Sequence, residues 1–136
     1  MENNKKMTRY EEREQSFLLV FEMLFNPEPL MDVVESAQES REIEICEYAI
    51  EVANGVGNVQ EDIDSLIESH LKKGWNINRI SKTSLAIMRV AVYEMLYCEK
   101  VPNAVAINEA VELAKKYTID ESKFVNGVLG AISKDL

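Results

Sequence analysis

The sequence predicts an all-α protein, a single compact helical domain of six or seven helices. Apolar residues recur three and four apart along nearly the whole chain, and no alternating stretch of strand length interrupts them. The 136 residues include only five Gly and three Pro, so connections are short and consecutive helices should pack antiparallel. Hydrophobic residues make up 46% and charged residues 29%, a balance that folds rather than staying disordered.

The first helix is expected over 11–25, EEREQSFLLVFEMLF, where Phe17, Leu18, Val20, Phe21, Leu24 and Phe25 form a broad stripe opposite the glutamates and Arg13. Asn26-Pro27-Glu28-Pro29 ends it, because a helix does not readily continue into Pro-x-Pro. A weaker helical pattern covers 30–40 through Leu30, Val33, Val34 and Ala37. Helical spacing resumes at Ile43, Ile45, Cys46, Ala49, Ile50, Val52, Ala53 and Val56, and continues at Ile63, Leu66, Ile67 and Leu71. Gly55 and Gly57 each weaken a helix interior by up to about 1 kcal/mol, and Asn58 to Glu61 offers a variant capping box. One helix over 43–71 with a soft spot at 55–57 and two helices meeting there both fit. One long helix is the expectation.

Gly74 to Ile80 is a short connection containing the single tryptophan, Trp75. The next stretch, TSLAIMRVAVYEMLY over 83–97, is apolar around most of its circumference, with Arg89 and Glu94 as the main exceptions. It reads as the central helix of the core. Val101-Pro102-Asn103 breaks it, and Asn103 is the expected N-cap of a helix over 104–117. That helix carries Val105, Ala106, Ala110, Leu113 and Tyr117, with Glu112 and Lys116 as an i,i+4 ion pair. After a turn at 118–120, the last helix covers 121–133 with Phe124, Val125, Val128, Leu129 and Ile132 inward. Gly127 and Gly130, one turn apart, suggest close helix packing.

Chemistry is mostly excluded. His70 is the single histidine, so serine-triad and histidine-ligated zinc arrangements lack material, and it reads as a polar residue near a helix end. Phosphate loops, dinucleotide fingerprints and an Asp-x-Asp-x-Asp calcium loop are missing. Cys46 and Cys98, 52 residues apart, read as buried thiols. No enzymatic activity, metal or cofactor is expected. With no apolar run of spanning length and no secretion signal pattern, no membrane association is expected and the location is cytoplasmic.

Charge is distributed unevenly. The net charge is −9 overall, but residues 28–70 alone carry −11, while 71–136 carry +3. The acidic third is either a solvated face or a docking face for a basic partner. Near the N-terminus, Lys5, Lys6, Arg9 and Arg13 form a basic arm suited to phosphates, and Tyr10 among them could stack on an unpaired base. Glu11, Glu12 and Glu14 in the same turns argue for an ordinary polar tail instead.

Two segments, TRYEEREQSFLLVFEMLF over 8–25 and AIMRVAVYEMLYCEKVPNAVAINEAVELAKKYTIDESKFVNGVLGAI over 86–132, resemble the NusB family of transcription antitermination and termination factors. VAINEAVELAKKY and SKFVNGVL are specific in combination. The resemblance implies about seven helices, a three-helix N-terminal half packed on a four-helix C-terminal half. It also implies binding to boxA-type single-stranded RNA, with NusE, a small-subunit ribosomal protein, as partner. Both would join the RNA polymerase antitermination complex with other Nus factors. The family's RNA-contacting segments fall on Lys5, Lys6, Arg9 and Arg13 with Gln15 after them, and on Asp120, Ser122, Lys123 and Phe124 with Asn126 and Gly127 completing the motif. Phe124 is either a base-stacking platform or a packing residue. Where family members carry a denser arginine cluster, Tyr10, Glu11 and Glu12 stand here, so RNA binding without NusE should be weak. The alternative is a helical protein-binding adaptor or a homodimer that contacts no RNA.

Overall fold

The computed structural model describes residues 6–41 and 43–136. Among these residues seven α-helices follow in order: α1 Arg9–Met23, α2 Leu30–Arg41, α3 Glu47–Asn58, α4 Gln60–Glu68, α5 Lys82–Tyr97, α6 Asn103–Tyr117 and α7 Ser122–Lys134. A 3-10 turn at Ile77–Arg79 lies between α4 and α5, and there is no strand among the described residues. The expected all-α class is therefore observed, with three helices before the break at Val59 and four after it.

Helix α1 starts two residues earlier than expected, at Arg9, because Thr8 and Glu11 form a capping box. Thr8 Oγ1 accepts from the Glu11 amide at 3.0 Å, and Glu11 Oε1 accepts from the Thr8 amide at 2.8 Å. The buried face passes through Arg13, Ser16, Phe17, Leu19 and Val20. It is rotated from the expected stripe, and Phe25 lies exposed beyond the helix end.

The long helix expected over 43–71 is two helices. Residues 43–46 are not helical, because α1 reaches across to hold them. Gln15 Nε2 donates to the Glu44 carbonyl at 3.0 Å, and Gln15 Oε1 accepts from the Cys46 amide at 2.8 Å. The second interruption is at Val59, whose φ of −123° and ψ of 25° leave the helical region. Helix α3 buries Ala49, Val52, Ala53 and Val56 and packs against α1 and α5, whereas α4 buries Ile63 and Ile67 and packs against α5 and α7. No side-chain hydrogen bond caps α3 or α4, so the variant capping box at 58–61 does not form.

Gly55 is not the breakpoint. It lies within α3 where Tyr93 of α5 packs against it, and a Cβ there would come within 2.3 Å of the ring. Gly127 and Gly130 show the opposite, since a Cβ at either would meet open space. The close approach expected of them occurs at Gly55 instead.

Helix α5 is the centre of the molecule, contacting α1, α3, α4, α6 and α7. Ten of its sixteen residues are buried, and these include both of its charged exceptions, Arg89 and Glu94. Neither reaches solvent, so each needs a partner. Arg13 of α1 donates through Nε to both Glu94 carboxylate oxygens, at 3.0 and 2.9 Å, and the Tyr48 hydroxyl of α3 donates to the same carboxylate. Arg89 makes a bidentate pair with Asp64 of α4 at 2.9 and 2.8 Å. Thus α5 is tied to α1, α3 and α4 by directional contacts embedded in apolar packing.

Two details of α6 differ from expectation. Pro102, extended at φ −61° and ψ 146°, occupies the N-cap position, and its carbonyl accepts from the Val105 and Ala106 amides. Asn103 is consequently the first helical residue, and its side chain donates to Ser133 Oγ of α7 at 3.3 Å. Glu112 pairs with Lys115 at 3.4 Å, because Lys116 is drawn away to Glu14 of α1 at 2.5 Å.

Removing one member of a buried pair strands the other charge, at a cost of about 3–5 kcal/mol. Arg13→Ala should lower the urea unfolding free energy by about that amount. Adding Glu94→Gln to Arg13→Ala should restore part of the loss, since the neutral amide still accepts from Tyr48. A loss within experimental error for Arg13→Ala would show that the pair does not anchor α1 to α5.

Candidate nucleic-acid interface

The residues expected to contact RNA separate into two groups. In the first, at the start of α1, Lys5 lies outside the described residues. Lys6 and Arg9 are exposed. The Arg9 guanidinium lies 3.0 Å from Glu12 and 4.4 Å above the Tyr48 ring, contacts at the surface that an incoming phosphate could replace. Tyr10 is half-buried against the core, and burial followed by the Glu14 charge pushes its hydroxyl pKa up.

Two of the expected contacts turn inward. Arg13 is 4% exposed and committed to Glu94, so its guanidinium is withheld from a phosphate. Gln15 uses both ends of its amide to hold residues 44–46. The glutamates that appeared to oppose the arm also have assigned partners: Glu11 completes the cap, Glu12 meets Arg9, and Glu14 accepts from Lys116 at 2.5 Å and from the Tyr117 hydroxyl at 2.6 Å. Burial raises the Glu14 pKa, but these two hydrogen bonds outweigh it and hold the carboxyl below its ordinary range. Burial first, and then the hydrogen bond to Glu14, push the Tyr117 hydroxyl up to about 12.

The second group is at the start of α7. Asp120 is exposed and adopts a left-handed conformation, φ 60°, which turns the chain sharply after α6. Glu121 then accepts from Ser81 Oγ at 2.6 Å and Ser84 Oγ at 2.5 Å, fastening the start of α7 to the start of α5. On this fixed platform Ser122 is half-buried and Lys123 exposed. Phe124 packs against the core, one of its two expected roles, and also borders an open groove.

The facing wall of that groove is the connection from α4 to α5, which the sequence marked only by its single tryptophan. Gly74, at φ 89°, makes the turn that a side-chain-bearing residue would resist. The Trp75 amide donates to the Lys72 carbonyl at 2.9 Å, and Glu68 accepts from the Ile77 amide at 2.9 Å, so the loop is held from both sides. Trp75 is 42% exposed, and its ring centroid lies 5.9 Å from that of Phe124 at an interplanar angle of 36°. Between the loop and α7 is a groove of about 530 Å³ that also touches Lys72, Lys123, Gly127 and Val128. A second groove of about 380 Å³ shares Trp75 and Phe124 and includes Arg79, whose guanidinium lies 5.2 Å over the Trp75 ring. The sequence reading gave Lys72, Trp75 and Arg79 no place at this surface. The available signal was a large exposed ring in a polar loop, flanked by cations three residues before and four after.

His70 borders the larger groove. Its Nδ1 lies 2.8 Å from the Leu66 carbonyl and its Nε2 2.6 Å from Asp135, joining the end of α4 to the residue after α7. Two acceptors on one ring favour the imidazolium: the Leu66 carbonyl first, and then Asp135, raise the His70 pKa against a smaller opposing effect of burial. Cys46 and Cys98 are free and half-buried rather than fully buried, and burial pushes both thiols up. Among the described residues no group of three or more His, Cys, Asp or Glu is arranged to hold a metal ion, and no helix is long and apolar enough to cross a membrane.

A family model described as the NusB family matches residues 10–134. A curated relative named transcription antitermination protein NusB, from Clostridium novyi, is 42% identical over 133 residues, covering 94% of this chain and 99% of the relative. Among solved structures, NusB from T. maritima is similar with a TM-score of 0.82 and 33% identity, covering 96% of this chain and 94% of the other. A crystal structure of the antitermination factors NusB and NusE in complex with dsRNA contains a chain that matches with a TM-score of 0.81 and 29% identity, over 96% of this chain and 100% of that one.

The raised His70 pKa has a defined consequence for stability. A proton held more tightly in the folded state stabilises that state fully below the unfolded pKa of about 6.5, and the contribution disappears as pH rises through the higher folded value. The melting temperature lost in His70→Gln should therefore be larger at about pH 5.5 than at about pH 8.5. Equal losses at the two pH values would show that the clasp does not hold a proton.

Proposed function

The chain belongs to the NusB family of transcription antitermination proteins, and on that premise we propose that it binds boxA-type single-stranded leader RNA jointly with NusE. In this reading residues 1–136 act as one RNA- and protein-binding unit in the cytoplasm. The complex joins the elongating RNA polymerase with other Nus factors, notably on ribosomal RNA operons. Its role is regulatory, not enzymatic.

The observation that carries the RNA assignment is the pairing of Lys123 with Phe124 at an open groove. Phosphates supply most of the affinity of such contacts, while rings accept bases that have left a stack. The NusB–NusE complex that the fold matches contains double-stranded RNA. Single-stranded RNA is favoured here because half-exposed Phe124 and Trp75 offer stacking surfaces for which a paired base has no use. With Arg13 and Gln15 engaged inside the protein, Lys6, Arg9 and Lys123 remain as exposed cations of the expected set. Among the described residues, three phosphate contacts to a single strand correspond to a log–log salt slope of about −2, in line with the weak RNA binding expected without NusE.

The partner assignment rests on charge and on the NusB–NusE neighbour. Residues 28–70 carry a net −11, and Glu35, Glu39, Glu47 and Glu51 on α2 and α3 are exposed. A basic ribosomal protein complements that surface, docking on it and on the adjacent C-terminal helices.

Fluorescence anisotropy with a labelled boxA-type RNA and a scrambled control, with and without NusE across a salt series, tests the reading. Selective binding that tightens on adding NusE is expected, and Arg9→Ala and Lys123→Ala should each reduce the slope by about 0.7. NusE binding with no preference among RNAs would leave a protein adaptor, and self-association alone would leave a homodimer. For the docking face, reversing Glu35, Glu39, Glu47 and Glu51 to Lys should weaken NusE binding more at low than at high salt. Unchanged affinity at both would sink that assignment.

A further inference from the structure

Trp75 and Phe124 come from distant parts of the chain and meet at the surface with an open groove on each side. A flat aromatic ligand could either enter between the rings or lie on an outer face. Sandwiching a ring requires two van der Waals spacings, about 7 Å in total. The observed 5.9 Å between tilted rings closes that gap. An outer face is therefore the available surface.

The two outer sides are not equivalent. Arg79 borders only the smaller groove, where its guanidinium lies over the Trp75 ring. The larger groove has an apolar floor in Phe124 and Val128, exposed Lys72 and Lys123 at its edge, and Gly127 without a side chain to fill it. A ring with cations beside it and space above it suits one planar group attached to a phosphate chain.

We propose that the larger groove binds one unpaired nucleobase of single-stranded RNA, stacked on the Trp75–Phe124 pair, with Lys72 and Lys123 on the flanking phosphates. Arg79 is a positioning residue that holds Trp75 from the opposite groove. This rests on the RNA-binding reading above and adds to it the residues from the α4–α5 connection: Lys72, Trp75 and Arg79.

The single tryptophan reports on its own surroundings. Single-stranded boxA-type RNA, added with NusE lacking tryptophan, should quench Trp75 emission with the same midpoint as the anisotropy of labelled RNA. The same RNA annealed to its complement should quench little. Trp75→Ala should weaken RNA binding about tenfold without lowering the melting temperature, and Trp75→Phe should recover most of the affinity. Gly127→Leu, which places a side chain in open space, should weaken binding similarly by occupying the groove. RNA binding in anisotropy with unchanged emission and wild-type affinity for Trp75→Ala would overturn this inference and leave the RNA reading intact. Equal quenching by the duplex would overturn the unpaired-base assignment. No RNA binding by the wild-type protein, with or without NusE, would overturn the RNA reading itself.

Discussion

Helix α5 can occupy the centre of this protein only because its two charges are answered there. Glu94 is 1% exposed and Arg89 is 5% exposed, a placement that would be prohibitive for unpaired ions. Arg13 and Tyr48 answer the first, and Asp64 answers the second. Apolar packing alone tolerates sliding and rotation of one helix against another. A two-oxygen contact with one guanidinium tolerates neither well, so the register of α1, α3 and α4 against α5 follows from these few groups. The rest of the core closes around that arrangement.

The same economy of charge shapes the surface. Much of the N-terminal cationic potential is spent internally or on neighbouring glutamates. The opposite end of the chain supplies an organised edge: Glu121 secures α7 to α5, Asp120 provides the corner, and the α4–α5 loop brings its tryptophan opposite Phe124. Acidic α2 and α3 and the cation-rimmed groove lie on different elements. One chain therefore presents two surfaces of opposite electrostatic character.

Helical periodicity made nearly every element legible in the sequence, because burial of one face imposes a 3.6-residue rhythm that local composition must obey. It failed where the controlling contact was distant in sequence. Around Val59 the local signals, Gly55 and Gly57 and a variant capping box at 58–61, allowed one helix or two, and neither signal coincides with the observed break. Nothing local marks 43–46 as extended, since the hydrogen bonds come from Gln15. Arg13 looked like one cation of a basic arm because its partner lies 81 residues away. The resemblance located Lys123 and Phe124, but the opposing wall at Trp75 depends on how a loop folds over α7.

The contact between Gly55 and Tyr93 constrains how this sequence can drift. With the ring occupying the volume of a Cβ, any residue other than glycine at 55 requires the ring to move, and Tyr93 is itself stacked on Tyr97 at 5.2 Å. A smaller residue at 93 would remove that restriction and make alanine at 55 favourable, since alanine is the better helix former. The two positions should thus exchange as a pair through evolution. A glycine with an aromatic partner is one permitted state, and a small side chain at each is another.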